Sequence, residues 1–203
     1  MVLRKFVRNK YLQVSKLIRQ GSDVLDIGCN KAEIRHFLPN VSYYGIDINK
    51  SQIKELNKKG LKVFYADLNK DELPITKKFD YILMLDILEH LVNPRDLIIK
   101  SKQLLKKDGY LIISLPNDYH LLNKIRFLFN QELFQSFVPS GHLHIFPIKN
   151  GKFFLENNNL RIIKKINLPS PKPSFVPQFI KKFLCEVSPN NFARGVLYLT
   201  KSI

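Results

Sequence analysis

This sequence predicts an open α/β fold on a mostly parallel sheet, and three observations carry the prediction. Short apolar runs alternate with stretches of helical periodicity along most of the 203 residues, the pattern of parallel strands joined by crossover helices. The run Val24-Leu25-Asp26-Ile27 ends in Gly28-Cys29-Asn30, a buried strand passing through a tight glycine turn toward a helix start. A second run, Ser42 to Ile48, carries Asp47 about 20 residues on, where a carboxylate can accept both hydroxyls of a ribose.

The elements follow in order. Residues 6–19 place Phe6, Val7, Leu12, Val14, Leu17 and Ile18 at helical spacing, and Gln20-Gly21 stops that helix. After the strand at 24–28, residues 31–37 should form the first crossover helix, ended before Pro39. Asn30 is its expected cap, with Glu33 completing a capping box. The strand at 42–48 leads to a helix over 51–59, capped by Ser51 and stopped by Gly60. Residues 61–65 and 79–85 read as the third and fourth strands, and 94–106 as a helix with Pro94 in its first turn. A turn and a fifth strand occupy 104–117, and 160–167 and 195–201 read as the last two strands. Between strands, 168–177 is proline-rich and extended. Residues 178–187 form an amphipathic helix, with Phe179, Ile180, Phe183 and Leu184 on one side and Lys181-Lys182 on the other. That helix is either packed on the surface or a basic, amphipathic contact with a membrane.

The chain is expected to be one domain over 1–203, with one core. No apolar run is long enough to span a bilayer, and the N-terminus lacks the apolar core of a signal peptide. Cys29 and Cys185 make no disulfide framework, so the cytoplasm is the expected compartment. Cys29 is read as a small residue that fits the turn. The net charge of +16 favours anionic partners: nucleic acid, phosphate-linked lipid precursors or a membrane surface. The basic residues are scattered in pairs, however, and no RNA-binding module stands out. Frequent lysine, isoleucine and asparagine also fit an AT-rich genome.

The glycine turn limits the ligand. In place of G-x-G-x-x-G the chain has Asn30 and Glu33 at the second and third glycine positions. A pyrophosphate needs bare backbone N–H groups and little negative charge, and Glu33 repels it. Asparagine still enters the left-handed region more easily than most residues.

Five ordered stretches across roughly 20–165 resemble the class I S-adenosylmethionine-dependent methyltransferases. They are Val24 to Asn30, Asp47, Ala66-Asp67-Leu68, Phe79 to Leu91, and Leu104 to Asn117. The resemblance implies a doubly wound, Rossmann-like seven-stranded sheet, mostly parallel with an antiparallel last strand, and S-adenosylmethionine as cofactor. Asp47, with Ile48 beside it, would bind the ribose. Asp67 would take the adenine amino group while Leu68 packs on the ring. Asp26, Gly28, Asn30 and Leu85 would face the methionine part. Asn30 and Ala32 stand where relatives commonly have glycine.

Methyl transfer to a hydroxyl needs alignment and a base, and histidine suits that base near neutral pH. His142, in Ser140-Gly-His-Leu-His-Ile-Phe, resembles a histidine found before a late helix in small-molecule methyltransferases. His90 follows Glu89 after the fourth strand. Asp86, Glu89 and His90 fall at i, i+3 and i+4, which on a helix could hold a hard divalent cation, although no metal is assigned. The chain lacks the Asn/Asp-Pro-Pro-Tyr and Pro-Cys motifs of amine and cytosine methylation, while Ser114-Leu-Pro-Asn117 is similar to the branch acting on quinone precursors and sugars. Residues 117–157 and 168–187 lie at the substrate end and should select the acceptor. The expected activity is transfer of a methyl group to oxygen of a small-molecule, lipid-linked or sugar-linked acceptor. Two alternatives stay open: RNA as substrate, and a non-catalytic relic that binds cofactor or partner.

Overall fold

The computed structural model describes residues 2–129, 141–170 and 175–203, with side chains from residue 6. The chain runs α1 (Val2–Ser15), β1 (Asp23–Ile27), β2 (Ser42–Asp47), α2 (Lys50–Lys58), β3 (Lys62–Tyr65), β4 (Phe79–Leu85), α3 (Pro94–Gln103) and β5 (Leu105–Pro116). It continues through α4 (Leu121–Leu128), α5 (Ile148–Asn157), β6 (Leu160–Pro169), α6 (Gln178–Val187), α7 (Pro189–Phe192) and β7 (Ala193–Ser202). The strands form one seven-stranded sheet in the order β3-β2-β1-β4-β5-β7-β6. β1 to β5 are mutually parallel, and β7 inserts antiparallel between β5 and β6. The expected sheet is therefore present, antiparallel last strand included.

Side chains alternate between two cores. Leu25, Ile27, Ile82, Met84, Leu111 and Ile113 face one side, where Leu97 and Ile98 of α3 and Leu155 of α5 cover them. Val24, Tyr81, Leu83 and Ile112 face the other, under Val14 of α1 and Ile53 and Leu56 of α2. Burial on both faces explains why β4 reads as a near-continuous apolar run. Each fully buried Leu, Ile or Phe contributes about 1.5–3 kcal/mol to this packing.

Several sequence expectations change. Residues 31–37 do not make a crossover helix. Asn30 and Ala32 both adopt positive φ (47° and 52°), and only a short 3-10 stretch at Glu33–Phe37 follows, with no side-chain cap. Asn30 therefore turns the chain instead of capping it. In α2 the cap is Asn49, whose side chain accepts from the backbone N–H of Ser51 and Gln52, so Ser51 lies inside the helix. α3 ends at Gln103 because the backbone from Leu105 is already committed to β5. α6 has the expected bounds but the opposite facing: Lys181 and Cys185 turn inward while Phe179 and Phe183 are exposed. Among the expected segments, residues 130–140 of the acceptor-side stretch 117–157, Ser140 included, and residues 171–174 of the proline-rich stretch lie outside the described residues.

Candidate active site

The carboxyl ends of β1, β2 and β4 converge on the turn after β1. Gly28 sits at φ 75°, and a Cβ there would lie 2.9 Å from Ile87 Cδ1. The backbone conformation therefore favours glycine, and an added Cβ would also make the Ile87 side chain shift. The N–H groups of Gly28 and Cys29 donate to the Ile46 carbonyl at 2.8 and 3.1 Å, locking the turn to β2. Cys29 packs on Gly45, where an added Cβ would meet its Sγ at 2.7 Å. Burial pushes its thiol pKa up, which suits the reading of a small packed residue and not a nucleophile.

Asp47 ends β2 and accepts from the N–H of Asn30 at 2.7 Å and of Asn49 at 2.9 Å. A carboxylate offers about four lone-pair sites; two are used, and the remaining two match a ribose diol. Exposed Ile48 stands beside it. Asp67 is held locally, accepting from the Asn69 N–H at 3.1 Å and pairing with Lys70 at 3.4 Å. Leu68 leans on the core instead of standing free, and Leu85 is half-buried against the other core. Asp26 lies beneath the turn, buried, taking the Tyr43 hydroxyl at 2.7 Å. Burial, with the Asp47 charge nearby, pushes its pKa up to about 6.

Sequence reading missed Lys10 and Tyr11. Lys10 is only 4% exposed and pairs with Asp86, which also accepts from the Ser114 hydroxyl. Tyr11 has its pKa raised by burial and by the charges of Asp26, Glu33 and Asp86, which places all three acids around α1. Together with Asp47 they make an acidic crevice in a chain of net charge +16. That polarity, the unused Asp47 lone pairs and the glycine cradle fit a ribose-bearing cation and oppose a phosphate. The signal for Lys10 was its place in the stripe Lys10, Val14, Ile18, all buried at i+4 spacing.

A second cluster borders the crevice. The segment 141–146 is strapped to a one-turn 3-10 stretch, Leu88–His90, because the Glu89 carbonyl accepts from the N–H of Leu143 (2.7 Å) and of His144 (3.1 Å). The strap brings the His142 ring to 4.8 Å from His90, edge to face. His90 Nδ1 contacts the Gly141 carbonyl at 3.2 Å. His142 Nδ1 lies 3.5 Å from Asp118 Oδ2, and neither atom makes a hydrogen bond among the described residues; catalytic contacts are often this long until substrate binds. Glu89 is 1% exposed, and neither carboxylate oxygen has a hydrogen-bond partner among the described residues. Burial, then the Asp86 charge, pushes its pKa up to about 8.

Glu89, His90 and His142 hold donor atoms within 4.8 Å of one another, a set that could take a metal ion. The sequence-based trio Asp86, Glu89 and His90 is not the one assembled. Asp86 has φ 53° and is not helical, so the i, i+3, i+4 spacing does not apply, and Asp86 turns to Lys10 instead. Asp118 was not singled out in the sequence; only folding brings it behind His142.

A sheet of this order, with acids at the strand ends around a glycine turn, has the architecture of the class I S-adenosylmethionine-dependent methyltransferases. The chain belongs to the Methyltransferase domain family (Methyltransf_23), which matches residues 3–165, and its cofactor is S-adenosylmethionine. It is 30% identical over 117 residues to the ubiquinone biosynthesis O-methyltransferase of Rickettsia prowazekii, covering 55% of this chain and 44% of that protein. It is 38% identical over 101 residues to the protein of the same name from Pelagibacter ubique, covering 46% and 42%. The chain thus matches under half the length of these relatives. An S-adenosylmethionine-dependent methyltransferase of Thermotoga maritima superposes with TM-score 0.69 at 15% identity, over 98% of this chain and 90% of that one. The cyclase SpnF superposes with TM-score 0.64 at 16% identity, over 98% and 81%. Likenesses at this identity show the fold.

Proposed function

We propose that this methyltransferase moves the methyl group of S-adenosylmethionine to an oxygen of a small-molecule acceptor, lipid-linked or sugar-linked, with His142 as base. The observation that carries this reading is His142 at the crevice with Asp118 behind its Nδ1. A carboxylate that closed on Nδ1 when substrate binds would favour the tautomer that leaves Nε2 free to take a proton. The cofactor supplies an electrophilic methyl on a sulfonium. The chain's own residues do the rest: Asp47 orients the ribose, the acids around α1 favour the positive charge, and His142 holds the hydroxyl proton. His90 stands edge-on to His142, bound to the Gly141 carbonyl, and serves as its positional support. Asp67 and Leu68 at the adenine, Asp26, Gly28, Asn30 and Leu85 at the methionine part, and Ile48 at the ribose complete the proposed contacts. The similarity to ubiquinone biosynthesis O-methyltransferases supports oxygen as the target.

Residues 1–203 are taken as one domain in which 117–157 and 168–187 choose the acceptor. Both cysteines are free and buried, which suits the reducing cytoplasm, and no helix among the described residues is long and apolar enough to cross a membrane. The relic reading loses its motive, because Asn30 and Ala32 adopt the positive φ that glycines would supply. RNA as substrate rests on net charge alone and predicts salt-sensitive tRNA binding. Calorimetry with S-adenosylhomocysteine tests the cofactor half. Asp47→Ala, which removes two charge-assisted hydrogen bonds of about 1.5–3 kcal/mol each, should weaken binding at least 100-fold, and unchanged affinity would reject the ribose assignment. Turnover of a hydroxylated acceptor panel tests the oxygen half.

A further inference from the structure

We propose that α4 and α6 dock this enzyme on the surface of an anionic lipid bilayer. α4 buries none of its residues. On its 3.6-residue period, Leu121, Leu122, Ile125, Leu128 and the following Phe129 share one side, all exposed, with Leu128 at 78%. Lys124 and Arg126 stand at the two borders of that side. α6 repeats the design: Phe179, Phe183 and Val187 recur every fourth residue and all are exposed, Phe179 at 73% and Phe183 at 66%, with exposed Phe175 just ahead of the helix. Lys182 borders this stripe; Glu186, the helix's one acid, is exposed beside Phe179 on the same period and accepts from the Asn167 amide at 3.4 Å. Both helices pack on α7, and Lys124 is tied to Asn191 of α7 at 2.7 Å. They therefore build one end of the molecule.

An apolar stripe bordered by basic residues, free of partners among the described residues, is the make-up of a helix that lies in a lipid headgroup region. Charge decides the occupant. A second copy on this face would set Lys124, Arg126 and Lys182 against their own images on a chain of net charge +16. Anionic headgroups instead attract each of them. Position gives the contact a use. α4 follows β5, while α6 and α7 link β6 to β7, at the end where Pro116 and Leu168 both pair with Gly195. That is the carboxyl end of the parallel strands, where the crevice opens. Docking there would turn the crevice toward the bilayer and bring a lipid-linked acceptor to it from the membrane plane. The docking itself does not depend on which acceptor is methylated.

Flotation of the whole chain with vesicles tests this. Vesicles of phosphatidylcholine with phosphatidylglycerol should carry the protein up at low salt, and vesicles of phosphatidylcholine alone should leave it below. The pair Phe179→Ser and Phe183→Ser, and separately Lys124→Glu with Arg126→Glu, should each lower vesicle binding at least tenfold. Phe153→Ser, an exposed aromatic of α5, should not. Unchanged affinity for S-adenosylhomocysteine in every variant keeps this test separate from that of the cofactor site and confirms folding. Absence of co-flotation with anionic vesicles, or full binding by the Phe179/Phe183 variant, would overturn the proposal. So would a dimer in light scattering that those two serines dissolve, which would make the face a contact between copies.

Discussion

Replacing Glu89 with glutamine should stabilise the protein at alkaline pH and do little at acid pH. Glu89 is 1% exposed, and its carboxylate oxygens find no hydrogen-bond partner among the described residues. Its pKa rises from 4.5 to about 8 because burial, and then the nearby Asp86, disfavour the anion. The folded protein therefore holds this proton up to about pH 8, while the unfolded chain loses it near 4.5. Between those values folding is penalised more with each step in pH, by about 1.4 kcal/mol per unit. The penalty is absent below the unfolded pKa and complete above the folded one, reaching on the order of 5 kcal/mol. An amide side chain cannot ionise, so Glu89→Gln should remove most of it. At 203 residues a gain of about 3 kcal/mol raises Tm by roughly 6–12 °C. Thermal melts of both proteins from about pH 5 to about pH 8.5, with chelator present, measure this. If the Tm difference fails to widen as pH rises, Glu89 is ionised in the fold and the reasoning is wrong.

Three further outcomes are expected. Asn30→Gly relieves a left-handed backbone at φ 47° and should stabilise by about 1 kcal/mol in denaturant titration, without weakening S-adenosylhomocysteine binding. Tyr43→Phe strips buried Asp26 of its 2.7 Å hydroxyl donor and should cost about 1–3 kcal/mol, with most of the loss recovered below about pH 5 as Asp26 protonates. His142→Asn should cut kcat by about 100-fold or more, with cofactor affinity kept; unchanged turnover would remove His142 as the base.

What the sequence could disclose depended on how many sides of an element are constrained. β1, β4 and β5 are buried on both faces, so nearly every residue reports the strand, and the Gly28 turn reports itself through a backbone no other residue adopts as easily. A surface helix is different. Periodicity groups Phe179 with Phe183 and sets Lys181 apart from them, but it does not tell which residues meet the core, and in α6 Lys181 and Cys185 went in while Lys182 stayed out. Pairings between distant segments left still less trace. Lys10 meets Asp86 across 76 positions, and Asp118 reaches His142 only because 141–146 is strapped beneath Glu89.

Charge shows the same limit in its sharpest form. The composition sums to +16, which taken alone points to an anionic ligand and puts nucleic acid among the candidate partners. The fold distributes that sum unevenly. Asp26, Glu33 and Asp86 all act on Tyr11 of α1, and Asp47 on Asp26, with Lys10 paired to Asp86, while most lysines and arginines spread over the outside. The field a ligand meets is set by charges within about a Debye length, roughly 8–10 Å at ordinary ionic strength, not by the total. A local group of acids can in this way favour a cation that the total charge would repel. The positive exterior is left to act on a different partner, and the exposed apolar sides of α4 and α6 supply the place.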